Sequence, residues 1–364
     1  MQIITPTLLV NKEKVLANIE KMVNKANKNG IRLRPHFKTH QSVEIGSWFR
    51  KFNIEAITVS SVRMAQCFAK AGWKDITIAF PVNILEINEI NNLAKDITLN
   101  ILVDSLEVVN FLHEKLETKV NVWIKIDVGY HRAGISWDDF DEILELAEEI
   151  KKSRNLSYIG ILTHAGQSYK AVSKDEILAI HKDSVEKMEK VKDILIKKDF
   201  NVEISVGDTP TASVVEEFPG VDEIRPGNFV FYDLKQLQSG SCTEEDIAIR
   251  LACPVVAKCE SRSEILVIGG AVHLSRDFII DKEGNTIFGY VSRQLEKGWG
   301  VKIQDTYVSS LSQEHGTIKA SREFFNEVDI GDIVLIIPPH ACMTTFSMRR
   351  LKLTTGEDIH AKCV

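Results

Sequence analysis

From residue 31 to about 228, short apolar β-branched runs alternate with amphipathic stretches, the pattern of repeated strand–helix units. The runs that predict strands are 31–35, 56–60 (AITVS), 76–80 (ITIAF), 99–103 (LNILV), 121–126 (NVWIKI), 158–163 (YIGILT), 202–206 (VEISV) and 222–225 (DEIR). Segments 139–152 and 180–198 read as helices between them. Eight strands is the number that closes a parallel barrel. Past residue 238 the texture changes. After QSGSCTEED come β-rich runs at 247–257, 264–269, 286–291, 305–310 and 333–337, with DKEGN (281–285) as a hairpin turn and no long helical pattern. The predicted fold class is therefore α/β: a (β/α)8 TIM-type barrel over 1–238, followed by a mostly β carboxy-terminal domain over 239–364 that a strand from the first ten residues could join.

The first barrel strand runs into IRLRPHFKTH (31–40), which at a two-residue period places Arg32, Arg34, His36, Lys38 and His40 on one face and apolar residues on the other. Active sites of such barrels lie at the carboxyl ends of the strands, and Lys38 falls at or just past that end. Neighbouring cations disfavour a proton on a lysine and make its amine a better nucleophile, which suits a Schiff base. The competing reading is that these cations pair with acidic groups inside the barrel.

Composition narrows the function classes. A net charge of −6, with 44% hydrophobic and 26% charged residues, describes a soluble globular chain and gives no basic footprint for nucleic acid. The start, MQIITPTLLVNKEKV, has no basic segment leading into an apolar stretch, and no run is long enough for a membrane helix, so a cytoplasmic protein without a membrane partner is expected. The cysteines, at 67, 242, 253, 259, 342 and 363, form no CxxC pair, so reduced thiols are expected.

Two turns point to phosphate. SVGDTPT (205–211) follows the seventh strand and RPGN (225–228) the eighth, the positions where such barrels often bind phosphate with backbone N–H groups. Gly207 and Gly227 let the backbone approach closely, and Thr209 and Asn228 add side-chain donors. Asp208 would repel phosphate and is expected to turn away and cap the next helix.

With these residues in place, RPHFKTH resembles the pyridoxal-phosphate lysine motif of the D-threonine aldolase and D-serine dehydratase family, within the fold type III enzymes headed by alanine racemase. DVGYHRAG (127–134), HAGQSY (164–169), GDTPT (207–211), RPGNFVFYD (225–233) and QEHG (313–316) follow in the family's order, so the likeness spans nearly the whole chain. It implies that Lys38 carries pyridoxal 5'-phosphate, that His164 and Arg132 lie around the ring and its phenolic oxygen, and that Tyr169 lies near the pyridine nitrogen. With His36 beside Lys38 and the turns holding phosphate, these residues make up the expected cofactor site. IGGAVHLSRD (268–277) departs from the family: Gly269 and Gly270 stand where its lyases read Asp-Ala-Gly, and His273 is extra.

LIIPPHACMTTF (335–346) raises a metal question. His340 and Cys342 are two apart, so in extended chain they share a face, and imidazole with thiolate is good ligation for zinc. By itself H-x-C is a weak signal. The family resemblance strengthens it, because its lyases hold a divalent ion through a His-x-Cys or His-x-Asp pair near the carboxyl terminus. The cysteine version resembles the dehydratase side and favours Zn2+, with Mn2+ as the alternative. His315, in QEHG, is a candidate substrate contact or proton carrier in the same pocket, or else a structural histidine.

The resemblance thus implies a pyridoxal-phosphate and metal-dependent lyase acting on small D-β-hydroxy amino acids, D-serine dehydration being ranked ahead of D-threonine aldol cleavage. An amino-acid racemase and a non-catalytic cofactor carrier are the alternatives. Fold type III relatives imply a homodimer.

Overall fold

In the computed structural model the described residues are 3–296, 298–361 and 363. They form two compact units. One comprises Glu20–Lys38, Ile45–Gly227 and Cys363–Val364; the other comprises Met1–Ile19, Thr39–Glu44 and Asn228–Lys362.

The first unit holds eight parallel strands: Arg32–Leu33, Ala56–Val59, Asp75–Pro81, Thr98–Val103, Val120–Asp127, Leu156–Leu162, Glu203–Val206 and Glu223–Ile224. Each falls on a run predicted above. Arg32–Leu33 pairs with Glu223–Ile224, and the ladder continues from neighbour to neighbour round to Ala56–Val59. The seam closes just past the short first strand. The amides of Arg34 and His36 donate to Ile224 and Pro226 on one side, while Phe37 N–H donates to Thr58 O and Thr58 N–H to Pro35 O on the other. The predicted helices appear as Phe140–Lys152, capped by Asp139, and Lys174–Ile196, capped by Ser173.

The interior of this barrel is polar where the basic strand enters it. Arg34 donates to Glu223 Oε2 at 2.7 Å and Asp75 Oδ1 at 2.5 Å, and Asn100 and Asn121 extend the chain of hydrogen bonds. Arg32 pairs with Glu203 and Glu223. The two arginines thus follow the ion-pair reading of the basic face. Glu223 has a fully buried side chain; burial opposes its charge, but Arg34 and Arg225 hold its carboxyl below the ordinary range. Leu102, Trp123 and Leu162 form an apolar cluster on the neighbouring strands.

The second unit is a mostly antiparallel sheet. Its strand order is Glu264–Ile268, His315–Lys319, Trp299–Leu311, Tyr290–Gln294, Ile333–Ile337, Ile249–Cys259, Thr7–Val10, Arg350–Leu353 and Asp358–His360. Thr7–Val10 does join it, antiparallel to Ile249–Cys259 and parallel to Arg350–Leu353. The DKEGN turn is a hairpin between Ile279–Ile280 and Thr286–Ile287, with Asp281 accepting the amides of Glu283 and Asn285. The described helices of this unit are short, the longest on its carboxy-terminal side being Ala341–Met348.

One expectation from the cysteines is corrected. Cys67 and Cys363 are joined by a disulfide, so not all six thiols are reduced. Position-by-position spacing gave no hint of it, because the partners lie 296 residues apart.

Candidate active site

Phe37 explains how the first strand aims its neighbours. Its ring is fully buried against Phe49, Phe68 and Trp73, at centroid distances of 4.9, 5.0 and 5.2 Å. Gly46 permits that packing, since a β-carbon there would stand 3.0 Å from the Phe37 ring. His36 forms an isolated bridge with Thr58, and Lys38 follows in the turn after it. The imidazole Nδ1 of His36 accepts the amide of Lys38 at 3.3 Å.

His164 is the centre of the remaining residues in this unit. Its Nδ1 donates to the carbonyl of Gly207. Burial, and the charges of Lys38, Arg132 and Lys125 around it, hold it far below its ordinary value, so the ring is neutral. Tyr130 crosses it edge-on at 5.8 Å, pressed against Gly166, where a β-carbon would lie 2.5 Å from the phenol ring. The exposed Arg132 lies over the other part of this stack, 5.0 Å from the Tyr130 ring centroid. Asp127 shapes the loop by accepting the amides of Gly129, Tyr130 and His131.

The two turns are linked. Gly227 N–H donates to Thr209 Oγ1 at 3.2 Å, and Thr209 N–H donates to the Tyr169 hydroxyl at 3.1 Å. Tyr169 therefore sits on the turn expected to hold phosphate, whereas the sequence reading set it near the pyridine nitrogen. Asp208 is turned away as expected: it caps the helix Thr209–Val214 and accepts from Thr211 N, Thr211 Oγ1 and Ser168 Oγ, each at 2.8 Å.

Sequence reasoning missed Lys125 and Arg225. Lys125 is 6% exposed, and burial plus the charges of Arg225 and Arg132 pull it down to about 8. The available signal was a lysine inside the otherwise apolar run NVWIKI. Arg225 is buried, brought down to about 10 by that burial, and bonded to Ser205 Oγ and Thr163 O. Lys38, Arg132, Lys125 and Arg225 thus gather positive charge at the strand ends. That excess, with the linked glycine turns and a lysine amine, fits an anionic, phosphate-bearing aldehyde such as pyridoxal phosphate.

In the other unit, His340 and Cys342 are side-chain hydrogen-bonded, though not in extended chain. His340 is extended and caps the helix Ala341–Met348, in which Cys342 is the second residue. Asp233 makes this turn possible: its Oδ2 accepts Ala341 N–H at 2.8 Å and the Asn228 amide at 2.6 Å. The Cys342 sulfur lies 3.3 Å from Thr39 Oγ1, the residue after Lys38 in the chain, and 3.9 Å from Asn228 Nδ2. Asp277, also missed, contacts His340 Nδ1 at 3.0 Å and Lys235 Nζ at 2.5 Å. The hydrogen bond from His340, and then that from Lys235, hold the Asp277 carboxyl well below its usual range. Burial works against a charged His340, but Asp277 and Cys342 raise it to about 10. Among the described residues no group of three His, Cys, Asp or Glu side chains forms a metal site, and this imidazole and thiol are the pair that the sequence put forward. Two such donors with an oriented histidine fit a divalent ion that keeps open positions. His315 is not with them; it is exposed on its strand, its amide on Ser312 Oγ.

Comparison with known proteins agrees with both halves. The alanine racemase N-terminal domain matches residues 10–235 and a serine dehydratase domain matches 248–353. The chain belongs to the alanine racemase-like family. A D-serine dehydratase from Dictyostelium discoideum is 31% identical over 93% of this chain and 90% of its own. D-threo-3-hydroxyaspartate dehydratase from Delftia sp. (strain HT23) is 29% identical over 93% and 91%. The solved structure of a cysteine-to-alanine mutant of D-threo-3-hydroxyaspartate dehydratase, described as metal-free, superposes with a TM-score of 0.91 at 25% identity, covering 99% of this chain and 97% of that one. By sequence, a 3-hydroxy-D-aspartate aldolase from Paracoccus denitrificans (strain Pd 1222) matches 64% of the chain at 24% identity, and the solved structure of a D-threonine aldolase from Filomicrobium marinum shares the fold over 99% of it at 18% identity, with a TM-score of 0.85. This family is one of pyridoxal-phosphate enzymes, and the relatives are lyases of small D-amino acids. No described helix is long and apolar enough to cross a membrane.

Proposed function

We propose that this protein is a pyridoxal-phosphate and zinc-dependent dehydratase of small D-β-hydroxy amino acids, converting D-serine to pyruvate and ammonia, as a cytoplasmic homodimer. The observation that carries this reading is the match of both the barrel and the carboxy-terminal half to dehydratases over more than nine-tenths of the chain.

Pyridoxal phosphate, when bound, supplies an electron sink for bonds at the substrate Cα. Lys38 would hold its aldehyde, and its amine would be the base placed to take the α-proton. Gly207, Thr209, Gly227 and Asn228 hold phosphate, with Tyr169 bracing the Thr209 turn. Arg132 and the neutral His164 flank the ring, and His36 supports the Lys38 backbone. A divalent ion on His340 and Cys342 supplies Lewis acidity toward the β-hydroxyl. Such an ion would serve loss of the hydroxyl as water and cleavage of Cα–Cβ alike, and placement of the base decides between them. His315 is assigned no part in binding the ion; in this reading it serves as an outlying substrate or proton contact.

The test is product identification over a panel of D-amino acids, with metal content measured on the same sample. D-Serine gives pyruvate, a chelator removes the activity, and zinc restores it. Glycine and an aldehyde from D-threonine would make the enzyme an aldolase. Exchange of the α-hydrogen of alanine without keto acid would make it a racemase.

A further inference from the structure

We propose that Asp277 is the positioning residue of the metal centre: it fixes the tautomer and rotation of His340 so that Nε2 is the nitrogen offered to the ion. The inference rests on the metal reading given above. A carboxylate accepts hydrogen bonds and donates none, so the 3.0 Å contact between Asp277 Oδ2 and His340 Nδ1 requires a hydrogen on Nδ1. A neutral imidazole with that hydrogen keeps its lone pair on Nε2. Asp277 is itself held from two further directions. Lys235 Nζ lies 2.5 Å from Oδ1, Ser275 Oγ donates to Oδ2 at 3.0 Å, and the Asp277 amide returns to Ser275 Oγ at 3.1 Å.

The backbone next to the ring is fixed separately. Asp233 accepts the Ala341 amide, the peptide between His340 and Cys342. Backbone and ring therefore have different anchors. Loss of Asp277 leaves the helix start and Cys342 in place but frees the imidazole to rotate and to put its hydrogen on either nitrogen. The position lies 63 residues before His340, at the end of IGGAVHLSRD.

The experiment measures zinc affinity of the full-length, cofactor-loaded protein by competition with a chromophoric chelator. Asp277→Ala weakens zinc about 10–100-fold, Asp277→Glu recovers part of the loss, and cofactor absorbance is unchanged in both. Nitrogen-15 spectra of labelled histidine in the zinc-loaded protein place the His340 hydrogen on Nδ1 in the wild type and on either nitrogen in the variant. A purely structural role would lower the melting temperature and leave zinc affinity and tautomer alone. If Asp277→Ala does not fold, Asp277→Leu, of similar size and without an acceptor, is read in its place. Zinc affinity within twofold of wild type in the folded variant, while Cys342→Ala loses zinc, overturns the role of Asp277 and leaves the metal reading standing. A wild type that binds no zinc overturns both.

Discussion

At the scale of single residues, a run of like charges separates into members with different work. Arg32 and Arg34 lie with Glu203, Glu223 and Asp75, whereas His36 lies in the seam and accepts the amide of Lys38, which follows it. Alternation along the strand foretold which side chains share a face. It could not tell which cations had acidic partners, because those partners come from distant strands. Lys125 shows what concentrating positive charge does to stability. In the native protein it titrates near 8, whereas an unfolded lysine titrates near about 10.4. Between these values the unfolded chain binds the extra proton, so stability of the cofactor-free protein rises as pH climbs through that window. Lys125→Met should abolish this rise and add up to about 3 kcal/mol at pH 7. Urea unfolding at pH 7 and pH 10 checks both.

At the scale of elements, Asp208 joins two roles that pull apart in sequence. A carboxylate next to a phosphate turn is unfavourable unless other donors claim it, and here Thr211 and Ser168 do. Asp208→Ala removes the cap and leaves two buried hydroxyls short of an acceptor, so a loss of about 1–2 kcal/mol is expected. Equilibrium denaturation measures it. Most barrel strands were legible because parallel strands covered by helices are near-continuous apolar runs, whereas IRLRP and DEIR alternate apolar with charged residues. His315–Lys319, Arg350–Leu353 and Asp358–His360 were not legible, since HGTIK, RLKL and DIH are short and half polar. The His340–Cys342 pair was found by spacing for a partly mistaken reason. Asp233, more than a hundred residues away, starts a helix there, and no local pattern announces it.

At the scale of the whole molecule, the cysteine expectation failed where the chain ends come into play. The Cys67–Cys363 bridge spans 296 residues. Closing so long a loop contributes up to about 5 kcal/mol, and a reducing compartment removes it. Dithiothreitol should therefore lower the melting temperature of the wild type and leave that of Cys67→Ser unchanged, with intact mass confirming the bond. The candidate site was legible in its lysine and its His-x-Cys pair, whose types and order are local facts, but not in Asp277, Lys125 or Arg225, whose surroundings come from tertiary neighbours. The barrel seam carries one more consequence. The stretch that latches the first strand to the second through Pro35, Phe37 and Thr58 ends one residue before the lysine amine. Any fluctuation that springs the cylinder at that stitch would swing Lys38 with it, so mechanical closure of the scaffold and steadiness of that amine are one property.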